Sequence, residues 1–139
     1  MSAANAAIDP IQVIRAALVS DTSLYAVVAD RVFGAHLEDP DAQAANYPLV
    51  ILESTGGDLR RFGRLQVLAV SLWAYSRTSA AEAQEIYRLA STVLQVERLT
   101  LSNVSQTVVG QETGRPDVGW NEATRAHFAR GRWRFQCIG

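Results

Sequence analysis

The sequence predicts an α+β fold: an antiparallel or mixed sheet of about four strands with helices packed on one face, in the order ααββαββ. Three observations support this. A capped amphipathic helix with a single apolar stripe begins at residue 79 and closes near Leu94. Alternating two-sided segments lie before and after it, from Leu65 and from Thr124 to Ile138. Just upstream runs "PLVILEST" (48–55), almost continuously apolar and rich in β-branched residues.

In chain order, residues 1–8, "MSAANAAI", read as a flexible leader. Asp9-Pro10 opens a helix, because Asp caps free N–H groups and Pro loses nothing at the first helical position. Ile11, Ile14 and Leu18 follow at helical spacing beside Ala17. Ser20 to Ser23 interrupts the stripe, and Leu24, Val27 and Val28 predict a second short helix. "RVFG" (31–34) reads as a brief extended segment, and "AHLEDPDAQAAN" (35–46) as a polar surface loop.

Tyr47-Pro48 starts the first strand. Gly56-Gly57-Asp58 is turn chemistry, within a connection that extends through Gly63 if the hairpin loop is a long one. From Leu65 the next strand places 65, 67, 69, 71 and 73 on one face and 66, 68, 70, 72 and 74 on the other. Both faces are largely apolar, as a strand covered on two sides requires, or a sheet with one face buried by another subunit. Ser79-Ala80-Ala81-Glu82 is a capping box, with Glu82 expected to reach back to the cap N–H. Ala83, Ile86, Tyr87, Ala90, Val93 and Leu94 form the buried stripe; Gln84, Glu85, Arg88 and Gln95 fall on the wet side. Residues 99–112 suggest one strand, and 110–121, with Gly114, Pro116 and Gly119, a loop. In the last strand His127, Ala129, Gly131, Trp133, Phe135 and Cys137 share one face, and Phe128, Arg130, Arg132, Arg134 and Gln136 the other. No linker or internal repeat divides the chain, so residues 1–139 read as one domain.

Composition narrows the function. The chain is 48% hydrophobic and 19% charged with a net charge of −1, an ordinary globular balance without the basic bias of a dedicated nucleic-acid clamp. All thirteen positive side chains are arginines. Without lysine, Schiff-base chemistry is excluded. The single cysteine, Cys137, rules out an intrachain disulfide and is expected to pack with Trp133 and Phe135. No run approaches the roughly 18 apolar residues of a membrane span, and the N-terminus lacks the pattern of a signal peptide. No membrane is therefore expected as a partner, and the cytoplasm is the expected site of synthesis.

Catalytic constellations are missing. His36 and His127 are the only histidines. His36 lies near Glu38, Asp39 and Asp41, which read as a solvated acidic loop more than as a cation site. His127 reads as a satisfied, partly buried side chain. There is no G-x-S-x-G elbow, no GxxxxGK[ST] and no GxGxxG. Neither an enzyme nor a cofactor is expected.

The arginines are the distinctive feature. Arg130, Arg132 and Arg134 project from one face at intervals of about 6.6 Å. Three such charges repel one another unless carboxylates of the same chain, carboxylates of a neighbouring copy, or phosphates neutralise them. "RRFGR" (60–64) adds Arg60, Arg61 and Arg64 on a basic loop tip.

Taken together, "DRVF" (30–33), the strand opened by Tyr47-Pro48, the "GG-D" connection, "VSLWAYS" (70–76), the helix opened by "SAAEAQEI" (79–86) and the strand "RGRWRF" (130–135) resemble the small tail-completion, or tail-terminator, proteins of long-tailed bacteriophages and related phage-like particles. The resemblance covers residues 9–136. It implies a structural virion protein at the head-proximal end of the tail. Copies form a ring, typically six-fold, that caps the tail tube, stops its polymerisation and offers a joining surface to the head–tail connector. Expected partners are further copies of the chain, the tail-tube protein and the connector or neck protein, with room for a passing contact with DNA in the lumen. Another neck, connector or tube component, or a small non-enzymatic binding domain, stays open as an alternative. At the interface, Arg60, Arg61, Arg64, Arg130, Arg132 and Arg134 are expected to meet carboxylates, with Glu38, Asp39 and Asp41 as donors within the ring.

Overall fold

The computed structural model describes residues 10–33, 47–54, 61–62, 65–95, 99–100 and 107–138. Two helices open it: α1 (Pro10–Ser20) and α2 (Thr22–Val28). The break between them is made at Asp21, whose carboxylate accepts the Leu24 N–H at 2.9 Å and caps α2. Ile14 and Leu18 of α1, and Leu24 and Val28 of α2, are fully buried. Two arginines tie this pair to the sheet. Arg15 donates from Nε to the Val32 carbonyl at 2.7 Å. Arg31 donates to the Pro48 carbonyl at 2.8 Å and to the Val27 carbonyl at 3.1 Å.

The sheet contains β1 (Val32–Phe33), β2 (Leu49–Ser54), β3 (Arg61–Phe62), β4 (Leu65–Ser76), β5 (Leu99–Thr100), β6 (Thr107–Glu112), β7 (Asp117–Asn121) and β8 (Ala126–Ile138). Its order is β1-β2-β4-β8-β6-β5, with β3 paired to β4 and β7 to β8. Only β1 and β2 run parallel, so the sheet is mixed. The spine is the antiparallel pair β4–β8, in register from Leu65↔Ile138 to Ser76↔His127. Between β4 and β5 the chain forms α3 (Ala80–Leu94), which packs on both spine strands.

The α+β class holds, but among the described residues the sheet has eight strands where the sequence suggested about four. Residues 99–112 are not one strand: β5 pairs back on β6, Leu99 opposite Val108. Most of the expected 110–121 loop is strand. Gly110 lies within β6, and β7 forms a hairpin with β8 through a turn in which Asn121 Oδ1 accepts the Ala123 and Thr124 N–H groups. Gly114 and Pro116 do lie between strands, whereas Gly119, the third residue that argued for a loop, is overridden by pairing with a long neighbour strand. The two-residue β3 lies inside the connection expected to be a loop.

The strand-to-helix junction at 76–82 departs from the expected capping box in one bond. Ser79 Oγ accepts the Glu82 N–H at 3.0 Å, as the motif requires. The Glu82 carboxylate instead accepts from Ser76 Oγ at 2.6 Å, and that same hydroxyl accepts the Ser79 N–H at 3.3 Å. A buried serine at the strand end therefore stands between the two halves of the box.

One face of the sheet carries all three helices of the described residues. Val50, Leu52, Leu68, Val70, Leu72, Ala74, Ala129, Trp133 and Phe135 point into it and meet the α3 residues Ile86, Tyr87, Ala90 and Leu94. Tyr87 lies directly over Gly131, where a Cβ would sit 1.6 Å from its hydroxyl oxygen. Gln84, Glu85, Arg88 and Gln95 are exposed, as the helical pattern predicts.

Candidate interaction surface

Among the described residues no helix lies on the opposite face, and this open face gathers the chemistry that the core leaves unused. Strand pairing sets it out in rows: Leu49–Tyr75–Phe128, then Ile51–Trp73–Arg130, then Glu53–Ser71–Arg132, then Ala69–Arg134. One end is aromatic and the other cationic.

At the aromatic end the rings of Trp73 and Tyr75 stack with centroids 5.6 Å apart and planes 2° apart. Phe128 tilts against Trp73 at 5.4 Å, and Tyr47 meets Tyr75 edge-on at 6.4 Å. Such contacts are worth about 0.5–1.5 kcal/mol beyond area burial. Leu49, Ile51 and Ala126 are buried in the same cluster, beside these rings. Tyr75 is only 2% exposed, and burial raises its hydroxyl pKa to about 12. The Arg77 guanidinium caps the Tyr47 ring at 4.3 Å while donating to the Thr124 carbonyl at 3.0 Å.

At the cationic end Arg130 is drawn into its own chain. Its guanidinium lies 4.8 Å over the Trp73 ring and donates to Ser71 Oγ at 3.3 Å, while its buried Nε has no hydrogen-bond partner. Trp73 in turn donates from Nε1 to the Glu53 carboxylate at 3.2 Å. Arg132 and Arg134 stand exposed, without an ion-pair or hydrogen-bond partner for their guanidinium groups among the described residues. A groove of about 360 Å³ runs between the three arginines over Val67 and Ala69, with Ser71 and Thr113 at its sides. Exposed guanidinium forks beside hydroxyls suit carboxylate or phosphate, which they grip bidentately.

The structure thus brings together three of the nine residues singled out in the sequence, Arg130, Arg132 and Arg134. Arg61 is placed by its backbone alone, opposite Gln66. Glu38, Asp39, Asp41, Arg60 and Arg64 lie outside the described residues, as does the expected packing of Cys137. Sequence reasoning missed Ser71, Trp73 and Glu53 as neighbours of the arginines. Their signal is the cross-strand register, which becomes readable only once β2, β4 and β8 are aligned. His127, on the other side of β8, packs against Trp120 with ring centroids 4.8 Å apart. Among the described residues no group of three or more His, Cys, Asp or Glu side chains could hold a metal ion, and no helix is long and apolar enough to cross a membrane.

No family model matches the sequence, and no curated protein matches it. Among solved structures, the chain is similar to one in the virion of a native gene transfer agent (GTA) particle. The TM-score is 0.61 at 20% identity, over 91% of this chain and 92% of that one. At that identity the likeness is one of fold, and it extends over nearly the whole of both chains.

Proposed function

We propose that the chain is a structural, non-enzymatic virion protein of a phage-like particle. Copies of it form a ring, six-fold in the resembled family, that caps the tail tube, stops its growth and presents the joining surface to the connector. The observation that carries this reading is the open face: a wide sheet roofed by helices on one side and, among the described residues, by none on the other, where two arginines stand unpaired. A side-by-side array of such subunits covers that face with the next copy. The fold likeness to a chain of a gene transfer agent virion, with similar coverage of both chains, supports the same reading.

In the ring, Arg132 and Arg134 meet carboxylates of an adjacent copy or of a tail-tube subunit, and Arg130 braces them from its seat on Trp73. The acidic residues Glu38, Asp39 and Asp41 remain candidates for the opposite side. The test is electron microscopy of the purified chain and of particles carrying a labelled copy. Closed rings, and label at the head-proximal end of the tail, are expected. Label along the whole tail would make it a tube component, and label within the neck a connector component.

A further inference from the structure

A ring needs a second patch, different from the first, because a head-to-tail contact joins unlike surfaces. Three large hydrophobic side chains are exposed among the described residues, and two of them, Val118 (56%) and Trp120 (49%), stand on β7. Their register, opposite Ala129 and His127, places them on the helix side of the sheet, away from the arginine row. β7 pairs only with β8, so its outer edge adds unpaired backbone groups to this strip among the described residues.

Between β7 and α3 lies a groove of about 320 Å³, lined by Gln84, Tyr87, Ser91, Glu112, Pro116 and Val118 among others. Glu112 is held there in a defined orientation. Its Oε2 accepts from the Tyr87 hydroxyl, which itself accepts from Trp133 Nε1 at 3.1 Å. Its second oxygen has no partner among the described residues, and no described cation lies within ion-pairing distance. Arg88, at the rim, is already paired with Glu85. The groove therefore holds a carboxylate without a counter-ion next to exposed apolar surface. Among the described residues the open face holds Arg132 and Arg134 without a counter-ion, next to the partly covered rings of Trp73 and Phe128. Lying on opposite sides of one sheet, the two cannot satisfy each other within a chain.

We infer that the β7–α3 groove of one copy receives the open face of the next, with Arg132 or Arg134 on Glu112 and with Val118 and Trp120 against the aromatic end. This inference rests on the ring reading above and names the missing half of its contact. Charge and apolar character match on both sides, which is what selects a second copy of this chain as the occupant. A contact of this kind should bury roughly 800 Å² per partner. Each added copy leaves one free patch of either type, so assembly continues until the ring closes.

The test uses the wild type and three variants of the full chain, followed by sedimentation velocity and thermal melting. Val118→Glu charges an exposed position in the groove, and Arg132→Glu with Arg134→Glu reverses the open face. Each alone should be a monomer that still melts in one cooperative transition, below the wild type only by what assembly adds. Mixed in equal amounts they should form a 1:1 dimer and nothing larger, because each supplies the patch the other lacks. Glu112→Gln keeps an acceptor for the Tyr87 hydroxyl and removes the charge; it should weaken assembly by tenfold or more. If the wild type forms rings and Val118→Glu and Glu112→Gln form them equally well, the groove is not the partner and only this inference falls. If both surface variants are folded monomers that ignore each other when mixed, the two patches do not meet. A wild type that stays monomeric would overturn the ring reading itself.

Discussion

The two faces of the β4–β8 spine come from the same strands and end in opposite states. On the helix side Leu68, Val70, Leu72, Ala74, Ala129, Trp133 and Phe135 are each at most 5% exposed. On the open side Val67, Ala69, Trp73, Phe128 and Arg130 are only partly covered, and Arg132 and Arg134 are exposed. Apolar content does not separate them, since β4 is apolar on both faces. What separates them is what crosses the sheet. The helix side is closed by interlocking shapes, Tyr87 over Gly131 above all. The open side closes its aromatic end with stacked rings and a guanidinium, and among the described residues its cationic end has no partner. One face is covered by the described helices, and the other is not.

This contrast can be broken most severely at Gly131. A Cβ there would displace Tyr87 and its bonds to Glu112 and Trp133. Gly131→Ala should cost roughly 4–5 kcal/mol, comparable to losing a buried aromatic side chain, as read from urea unfolding midpoints. Next comes the helix stripe. Ile86→Ala should cost about 3 kcal/mol while Gln84→Ala, about half a turn away on the wet side, should change stability by less than about 0.5 kcal/mol. Equal small effects would mean that the packing face is wrongly assigned.

A smaller effect belongs to the aromatic end of the open face. Burial raises the Tyr75 pKa from 10.0 to about 12, so folding favours the neutral phenol. The stability this provides is complete below pH 10 and is lost as pH rises from there through 12, amounting to about 2 kcal/mol. Tyr87, raised by burial and by its bond to Glu112, should add to the loss in the same direction. Unfolding midpoints between pH 8 and 11.5 should fall, and Tyr75→Phe should flatten that fall. The smallest effect on the monomer is expected at the cationic end. Arg132→Glu should shift monomer stability by less than about 0.5 kcal/mol, because the guanidinium has no described partner to lose.

Much of the helix face was legible in the sequence because its signals are local. Ser79 and Glu82 mark the start of α3, the stripe from Ala83 to Leu94 marks its buried side, and the alternation in β8 separates Trp133 and Phe135 from the arginines. The open face was legible only in outline. The arginine row follows from alternation, but the seating of Arg130 on Trp73 depends on a register between residues 57 positions apart, which no local pattern encodes. β7 was hidden for another reason. "DVGWN" interleaves Val118 and Trp120 with Asp117, Gly119 and Asn121, which disfavour strands, and it becomes a strand because β8 extends far enough to pair with it. That hidden strand carries Val118 and Trp120, so the sequence reading named one side of the proposed contact and sought the other in the 35–46 loop.

The central claim is that the open face is free in the monomer and covered in the assembly. The most direct measurement is sedimentation velocity on the wild type beside the Arg132→Glu, Arg134→Glu double variant, at matched concentration and low salt. A single closed multimer of the wild type is expected, with the variant a monomer that still unfolds in one cooperative transition. Identical sedimentation of the two proteins, both monomeric or both assembled, would contradict it.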